Sequence, residues 1–165
     1  FIFVGSSCDM FAEDVPTEWI IKVLKHCRKY PKNKYLFQTK NPKRFNELEI
    51  WREFVLNFCD LTLGITIETN RDTESKSPSP FERLRVFRSM DTSDKKMITI
   101  EPIMEFDLDC LVGLIFEAEP TFVNIGADSK GHNLPEPSKE KIELLIKELE
   151  KFTKVNLKDN LKRLM

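Results

Sequence analysis

Polar and charged side chains stand directly after several short apolar runs of the sequence. The run 1–4 leads to Gly5 and a small polar loop, 98–100 leads to Glu101, and 154–157 leads to Lys158. In sheets of parallel strands, ligands bind at the carboxyl ends of the strands. The pattern therefore predicts one functional edge, which collects Ser6, Asp9, Thr39, Lys40, Glu68, Thr69, Glu101, Asp128, Lys158 and Asp159.

The residue types at this edge suit a small polar ligand. Asp9 and Glu101 could bind a ribose hydroxyl, an ammonium group or a metal ion, and Lys40 could bind a carboxylate or a phosphate. We favour a functional Glu101, because the run 98–100 leads straight to it and Pro102 fixes the following turn. For Asp9, an ordinary loop carboxylate is an equally good interpretation.

Three of these candidates also have structural interpretations. Lys40 could belong to a basic surface. Glu68 could cap the segment that follows it, although the alternation of 61–67 directs its side chain away from the apolar face. Lys158 is the best candidate after the last run, but a salt bridge with Glu101 or Asp159 would explain it equally well.

Cysteine and histidine offer no metal site. The four cysteines lie far apart, without the paired spacing of zinc or iron–sulfur ligands, and we expect reduced thiols that are mostly in the core: Cys8, Cys27, Cys59 and Cys110. Cys8 stands beside the predicted edge and could be reactive. The two histidines are too few for a histidine-based metal site or a Ser/His/Asp triad, and we expect His132 to be exposed.

The elements that position this edge alternate between strand and helix. Strands are predicted to begin near residues 1, 34, 61, 97, 121 and 154, with helices over 18–30, 42–58, 81–90, 108–118 and 138–152. Asp107 and Ser138 are expected to cap the last two helices. The third helix is expected to bury Phe81, Leu84 and Phe87.

Six consecutive βα units predict a parallel sheet with right-handed crossovers. The sequence has no G-x-G-x-x-G or Walker-type loop, which argues against a nucleotide-binding Rossmann or P-loop domain and favours a barrel. A complete eight-stranded barrel needs about 250 residues, whereas this chain has 165. We therefore predict a single α/β domain, residues 1–165, that forms a partial, incomplete TIM-type barrel.

Composition and charge bound the partners. No apolar run approaches the roughly 20 residues that cross a bilayer, so we expect a cytoplasmic protein without a membrane partner. No acidic residue lies between 19 and 46, although the formal net charge is only −1. This stretch could bind nucleic acid, and a solvated basic helix face is an equal alternative. The basic residues concerned are Lys22, Lys25, Arg28, Lys29, Lys32, Lys43 and Arg44.

Six short motifs occur in order along most of the chain, at 3–16, 38–44, 63–68, 100–102, 126–129 and 158–159. Together they resemble the successive strand-end motifs of a phage- and prokaryote-encoded family of unknown function. That family is similar to radical S-adenosylmethionine enzymes, and spore photoproduct lyase is among its distant relatives. The chain departs from the family pattern at Ala12, where histidine is usual, at Asn41, where arginine is usual, and at 126–129, where Gly-Ala-Asp-Ser replaces Gly-Gly-Glu-Ser.

The resemblance implies a partial TIM-type barrel that binds S-adenosylmethionine. It also implies an iron–sulfur cluster held by three cysteines near the family's N-terminus, and none of the cysteines here matches those ligands. The chain is then expected to be the C-terminal part of a longer protein, or a relative that has lost its cluster. The residues expected at the cofactor are Ser6, Asp9, Thr39, Lys40, Glu68, Glu101, Asp128 and Lys158.

Two function hypotheses follow. In the first, the barrel binds S-adenosylmethionine and takes part in radical modification of a substrate such as nucleic acid, provided that the cluster-bearing region is present; the 165-residue chain alone is expected to be inactive. In the second, the chain is a cluster-less binding module for nucleic acid or for a small anionic ligand.

Overall fold

The computed structural model describes residues 1–47, 60–71, 75–90 and 95–165. Strands and helices alternate along the chain in the order predicted from the sequence. They are β1 (Ile2–Val4), α1 (Thr17–Cys27), β2 (Lys34–Thr39), α2 (Lys43–Glu47), β3 (Asp60–Ile67), α3 (Pro80–Arg88), β4 (Lys95–Ile100), α4 (Leu108–Ala118), β5 (Phe122–Ile125), α5 (Lys139–Leu149) and β6 (Lys154–Leu157), followed by a 3₁₀ helix (Asp159–Leu164).

The strands form one sheet in the order β1-β2-β3-β4-β5-β6. Every neighbouring pair is parallel, as expected when a helical crossover separates consecutive strands. The sheet does not close on itself. The predicted α/β fold with a parallel sheet is therefore confirmed, and the open sheet is consistent with a partial barrel.

One face of the sheet is apolar and packs against the helices. Because side chains alternate along a strand, every second residue of β2 to β5 lies on this face. These strand residues share a single core with residues of the five described α-helices, such as Leu24, Phe45, Leu84, Leu111 and Leu145. The strand residues of this core are Tyr35, Phe37, Leu61, Leu63, Ile65, Ile67, Ile98, Ile100, Val123 and Ile125.

The other face carries a row of polar side chains, which we call the polar face: Gln38, Thr66, Thr99, Asn124 and Asn156. Thr66, Thr99, Asn124 and Asn156 are partners in the register of β3, β4, β5 and β6, so they stand side by side across the sheet. Gln38 joins the row because its Nε2 donates to Thr66 Oγ1 at 2.6 Å. None of these residues belongs to the core that the described helices share.

The helix ends follow local chemistry. A capping box begins α3, in which Ser79 accepts from the Glu82 amide and the Glu82 carboxylate accepts from the Ser79 amide. Ser138 caps α5 as predicted, by accepting from the Lys141 amide. Asp107 is the N-cap residue of α4, as predicted, but its side chain makes no capping hydrogen bond, because the carboxylate instead accepts from the Arg71 guanidinium at 2.7 and 3.2 Å.

Three helices, α1, α3 and α5, end two or three residues earlier than predicted. The helix predicted over 18–30 ends at Cys27, because the Lys29 and Tyr30 amides donate to the carbonyls of His26 and Cys27 in tighter turns. Of the helix predicted over 42–58, Lys43–Glu47 is described, and 48–58 lies outside the described residues. Among the helices that the structure does describe, none has both the length and the apolar character needed to span a membrane.

Candidate functional site at the carboxyl ends of the strands

Four charged residues extend the polar face at the carboxyl ends of the strands, and we call them the charged rim: Lys40, Glu68, Glu101 and Lys158. Each follows a polar-face residue by two positions, which keeps it on the same side of a strand. The sheet's hydrogen bonds continue to this level, since the Glu101 amide donates to Ile67 O and the Lys158 amide donates to Ile125 O. The sequence prediction of a common edge is met by these four residues.

On the β2–β3 side, the rim is an ion network in which Glu68 and Arg83 are buried and the Lys40 side chain is 38% exposed. The Glu68 carboxylate contacts Lys40 Nζ through one oxygen and the Arg83 guanidinium at 2.9 Å through the other. The side chain of Arg83 is fully buried, and it also donates to the carbonyls of Thr66 at 2.8 Å and Pro78 at 2.6 Å. Glu68 is therefore already held between two cations, and it does not cap the next segment.

On the β4–β6 side, Glu101 is the centre of the contacts. One carboxylate oxygen contacts Lys158 Nζ, and the other accepts from Asn160 Nδ2 at 2.7 Å. The same Asn160 nitrogen donates to Ala127 O at 2.7 Å. Of the two salt bridges considered for Lys158, the structure contains the one with Glu101, because Asp159 pairs with Lys162 instead.

Gly126 lies between Glu101 and Lys158 at the end of β5. Because glycine has no side chain, the Glu101 carboxylate and the Asn160 amide can occupy the space above it. A Cβ atom at this position would lie 2.5 Å from Glu101 Oε1 and 3.0 Å from Asn160 Oδ1. Both distances are shorter than van der Waals contact. Glycine is therefore required for the observed position of the Glu101 carboxylate, a role that its backbone conformation alone would not reveal.

Asp9 and Thr39 position the rim and do not belong to it. Asp9 Oδ2 accepts from Thr39 Oγ1 at 3.0 Å and from the Lys40 amide at 2.7 Å, while Oδ1 accepts from the Phe11 amide at 3.0 Å. Thr39 is paired in register with Ile65, which places it on the apolar face. Asp9 thus connects the loops after β1 and β2 beneath Lys40, and Ser6 is exposed in the first of these loops.

Asp128 organises the loop after β5. Its carboxylate accepts from the Lys130 amide at 3.0 Å, from His132 Nδ1 at 2.8 Å and from the His132 amide. These hydrogen bonds, first of all those from the Lys130 and His132 amides, lower the pKa of Asp128 from 3.8 to about 2. His132 is exposed, as predicted, with 57% of its side chain accessible.

The depressed pKa of Asp128 predicts a pH dependence of stability. A carboxylate whose pKa falls on folding stabilises the folded state above its unfolded pKa, and the stabilisation is lost as the pH falls from about 4 to about 2. We expect Asp128→Asn to be less stable than the wild type at pH 7 and to lose less stability over that acid interval. Urea unfolding at a series of pH values measures both. Asp14→Asn, at an exposed site, is the control, and a D128N profile parallel to the wild-type profile would contradict the prediction.

The basic residues lie on the other side of the molecule from the polar face. Lys22, Lys25, Lys29 and Lys32 are exposed on α1 and the turn after it, on the helix-covered side and toward the amino end of β2. Arg44 is mostly buried and donates to Val15 O at 2.8 Å, while Lys43 pairs with Glu47 at 3.2 Å. Nucleic-acid binding by this surface stays a prediction.

The cysteines depart in part from expectation. Cys27 is buried, and burial raises the pKa of its thiol, but Cys8 and Cys110 are exposed, so the prediction of mostly buried thiols is wrong for these two. Cys59 lies outside the described residues. Within the described ranges, no group of three or more His, Cys, Asp or Glu side chains could hold a metal ion.

Sequence reasoning missed Arg83, Gly126 and Asn160. Arg83 is a helical arginine, and helical arginines are usually exposed. Asn160 follows the last strand by three residues, so its position at a strand end was a usable signal. The role of Gly126 depends on which strands are neighbours, and that information is present only in the folded sheet.

Comparison with known proteins adds one family. A family model described as "Protein of unknown function (DUF5131)" matches residues 1–147. No curated protein and no solved structure matches the chain.

Proposed function

The chain belongs to this family of unknown function, and from that premise we propose that its polar face and charged rim bind S-adenosylmethionine. The observation that carries the proposal is the in-register row of hydroxyl and amide side chains on a face that stands apart from the helical core, with two lysines and two glutamates at its carboxyl end. The polar character belongs to the carboxyl-end half of this face, because Leu36 and Met97 are buried on the same face toward the amino ends of the strands.

The ligand and the face are chemically complementary. S-adenosylmethionine carries a carboxylate, an ammonium group, two ribose hydroxyls and an adenine amino group. Lysine ammonium groups bind carboxylates, glutamate carboxylates bind ammonium groups, and asparagine and threonine side chains both donate and accept. The strand-end motifs resemble those of a family that is itself similar to radical S-adenosylmethionine enzymes, and this resemblance supports the same ligand.

The described residues fit the ligand but not an iron–sulfur cluster. A buried hydroxyl on the polar face, that of Thr99, has no hydrogen-bond partner within the described residues, which suits a face that receives a polar ligand. For the cluster, the described residues contain no suitable group of ligands. We therefore assign binding, and not cluster chemistry, to these residues. The exposed lysines of α1 offer no support for a nucleic-acid substrate at this face, because they lie on the opposite side of the sheet.

Titration calorimetry of the purified chain with S-adenosylmethionine tests the proposal. We expect saturable binding with one site per chain. Lys158→Met should weaken it about tenfold or more, since a hydrogen bond to a charged group contributes roughly 1.5–3 kcal/mol. The matched control is Lys95→Met, which removes an exposed lysine that pairs with Asp60 at the amino end of β4. We expect its affinity to stay within about twofold of wild type.

Two outcomes would contradict the proposal. One is no binding of S-adenosylmethionine at millimolar concentration by the folded wild-type chain. The other is binding that K158M and K95M affect equally, which would show that the ligand does not bind at the charged rim.

A further inference from the structure

Two acceptor oxygens on the β4–β6 side of the site are buried without a hydrogen-bond partner among the described residues: Thr99 Oγ1 and Asn160 Oδ1. Buried polar atoms without partners are rare in folded proteins, and each of them calls for an explanation. Both atoms adjoin Glu101, since Thr99 precedes it by two residues on the same face of β4, and Asn160 hydrogen-bonds to its carboxylate.

The orientation of the Asn160 amide follows from its partners. Its nitrogen lies 2.7 Å from both Glu101 Oε1 and Ala127 O, and both of these atoms only accept hydrogen bonds. Both amide hydrogens are therefore used, and the opposite end of the amide must be the oxygen. That oxygen lies 3.0 Å from the position that a Cβ of Gly126 would occupy, so it stands over the end of β5.

Thr99 differs from its neighbours in the polar row. The Thr66 hydroxyl accepts from Gln38 at 2.6 Å, and Asn124 Oδ1 accepts from Asn156 at 3.0 Å. Thr99 stands between Thr66 and Asn124 in the register, its residue is only 2% exposed, and its hydroxyl takes part in neither contact. The residue of the row whose hydroxyl has no hydrogen-bond partner among the described residues therefore lies next to Glu101.

We infer that Thr99 Oγ1, Asn160 Oδ1 and the Glu101 carboxylate form a subsite for a primary ammonium group. An ammonium group has three N–H donors and no acceptor, and this cluster offers three acceptors, of which one is negatively charged. Glu68 is less suited to the same task, because both of its partners, Lys40 and Arg83, are cations, whereas Glu101 has one cation and one neutral amide as partners.

Lys158 completes the arrangement. Its Nζ contacts the other oxygen of Glu101, so a cation stands next to the ammonium subsite, where a ligand carboxylate would be bound. An ammonium group beside a carboxylate is the free end of an α-amino acid. This inference rests on the proposed function, and it assigns the amino-acid end of S-adenosylmethionine to the β4–β6 side of the rim.

The test combines one isosteric substitution with two ligands. Thr99→Val removes the hydroxyl and preserves the shape of the side chain. Methylthioadenosine lacks the whole amino-acid end of S-adenosylmethionine. By titration calorimetry, T99V should bind S-adenosylmethionine about tenfold more weakly than the wild type and should bind methylthioadenosine with unchanged affinity. Thr121→Val, at an exposed threonine just before the amino end of β5, is the control and should bind both ligands as the wild type does.

The wild-type chain supplies an independent measurement. It should bind methylthioadenosine at least about tenfold more weakly than S-adenosylmethionine, and equal affinities would overturn the inference whatever the behaviour of the variants. An equal loss of both ligands in T99V, or no loss of either, would also overturn it and leave the proposed function standing. Failure of the wild type to bind S-adenosylmethionine at all would overturn both.

Discussion

Replacing Arg83 with methionine is expected to lower the free energy of unfolding by about 3–5 kcal/mol, because it leaves a buried carboxylate without one of its two cations. The Glu68 side chain is only 8% exposed, and the Arg83 side chain is fully buried. The substitution also leaves the carbonyls of Thr66 and Pro78 without the donors that Arg83 provides.

Urea unfolding measures this effect, and the same helix provides the control. Arg85→Met changes an exposed arginine of α3 and should alter stability by less than about 0.5 kcal/mol. The double variant R83M/E68M removes both buried charges and should recover part of the loss. If R83M is no less stable than R85M, the buried ion pair does not determine the stability of this edge.

Gly126→Ala is expected to weaken the binding of S-adenosylmethionine at least about tenfold, by displacing the Glu101 carboxylate. The added Cβ would lie 2.5 Å from Glu101 Oε1, and the carboxylate could move away only by giving up its contacts with Lys158 and Asn160. Overpacking of this kind also costs about 1–3 kcal/mol of stability.

Gly113→Ala is the matched control. It is an exposed glycine within α4, and apart from its chain neighbours and the backbone of its own helix no described residue has an atom within 4 Å of the added Cβ, so alanine should stabilise the chain by about 0.5–1 kcal/mol. Calorimetric titration of both variants measures the affinity for S-adenosylmethionine, and urea unfolding measures their stability. Unchanged ligand affinity in G126A, with the variant folded, would show that the position of Glu101 is not needed for binding.

The sheet was predictable because its strands have an unambiguous pattern. In β3, four large apolar residues (Leu61, Leu63, Ile65 and Ile67) alternate with two threonines and a glycine, and this pattern predicts both the strand and the side toward which Glu68 points. In β2 the run Tyr35–Phe37 shows no such alternation. The continuity of the polar row across neighbouring strands therefore became visible only from the register.

The site was predictable in position but only in part in its pairings. The salt bridge between Glu101 and Lys158 was one of two alternatives for Lys158, and the choice between them needs the strand order, which places β4 and β6 on either side of β5. In α3 the sequence predicted a buried Phe81, whereas 54% of Phe81 is exposed and Arg83 is buried. Hydrophobicity alone assigns an arginine to solvent. The burial of Arg83 depends on its hydrogen bonds to Thr66 and Glu68, which belong to β3 and the residue after it, and these contacts are known only from the fold.

The position of β6 in the sheet links the proposed ligand site to local unfolding. Among the described residues β6 pairs with β5 alone, and its four residues are exposed or half-buried. Elements with so few buried contacts open more readily than the core. Lys158 and Asn160 follow this strand directly, so opening of β6 would separate both from Glu101. A ligand held by these residues would oppose that opening and slow the hydrogen exchange of the β6 amides. Ligand binding and the local opening of β6 would then be thermodynamically coupled.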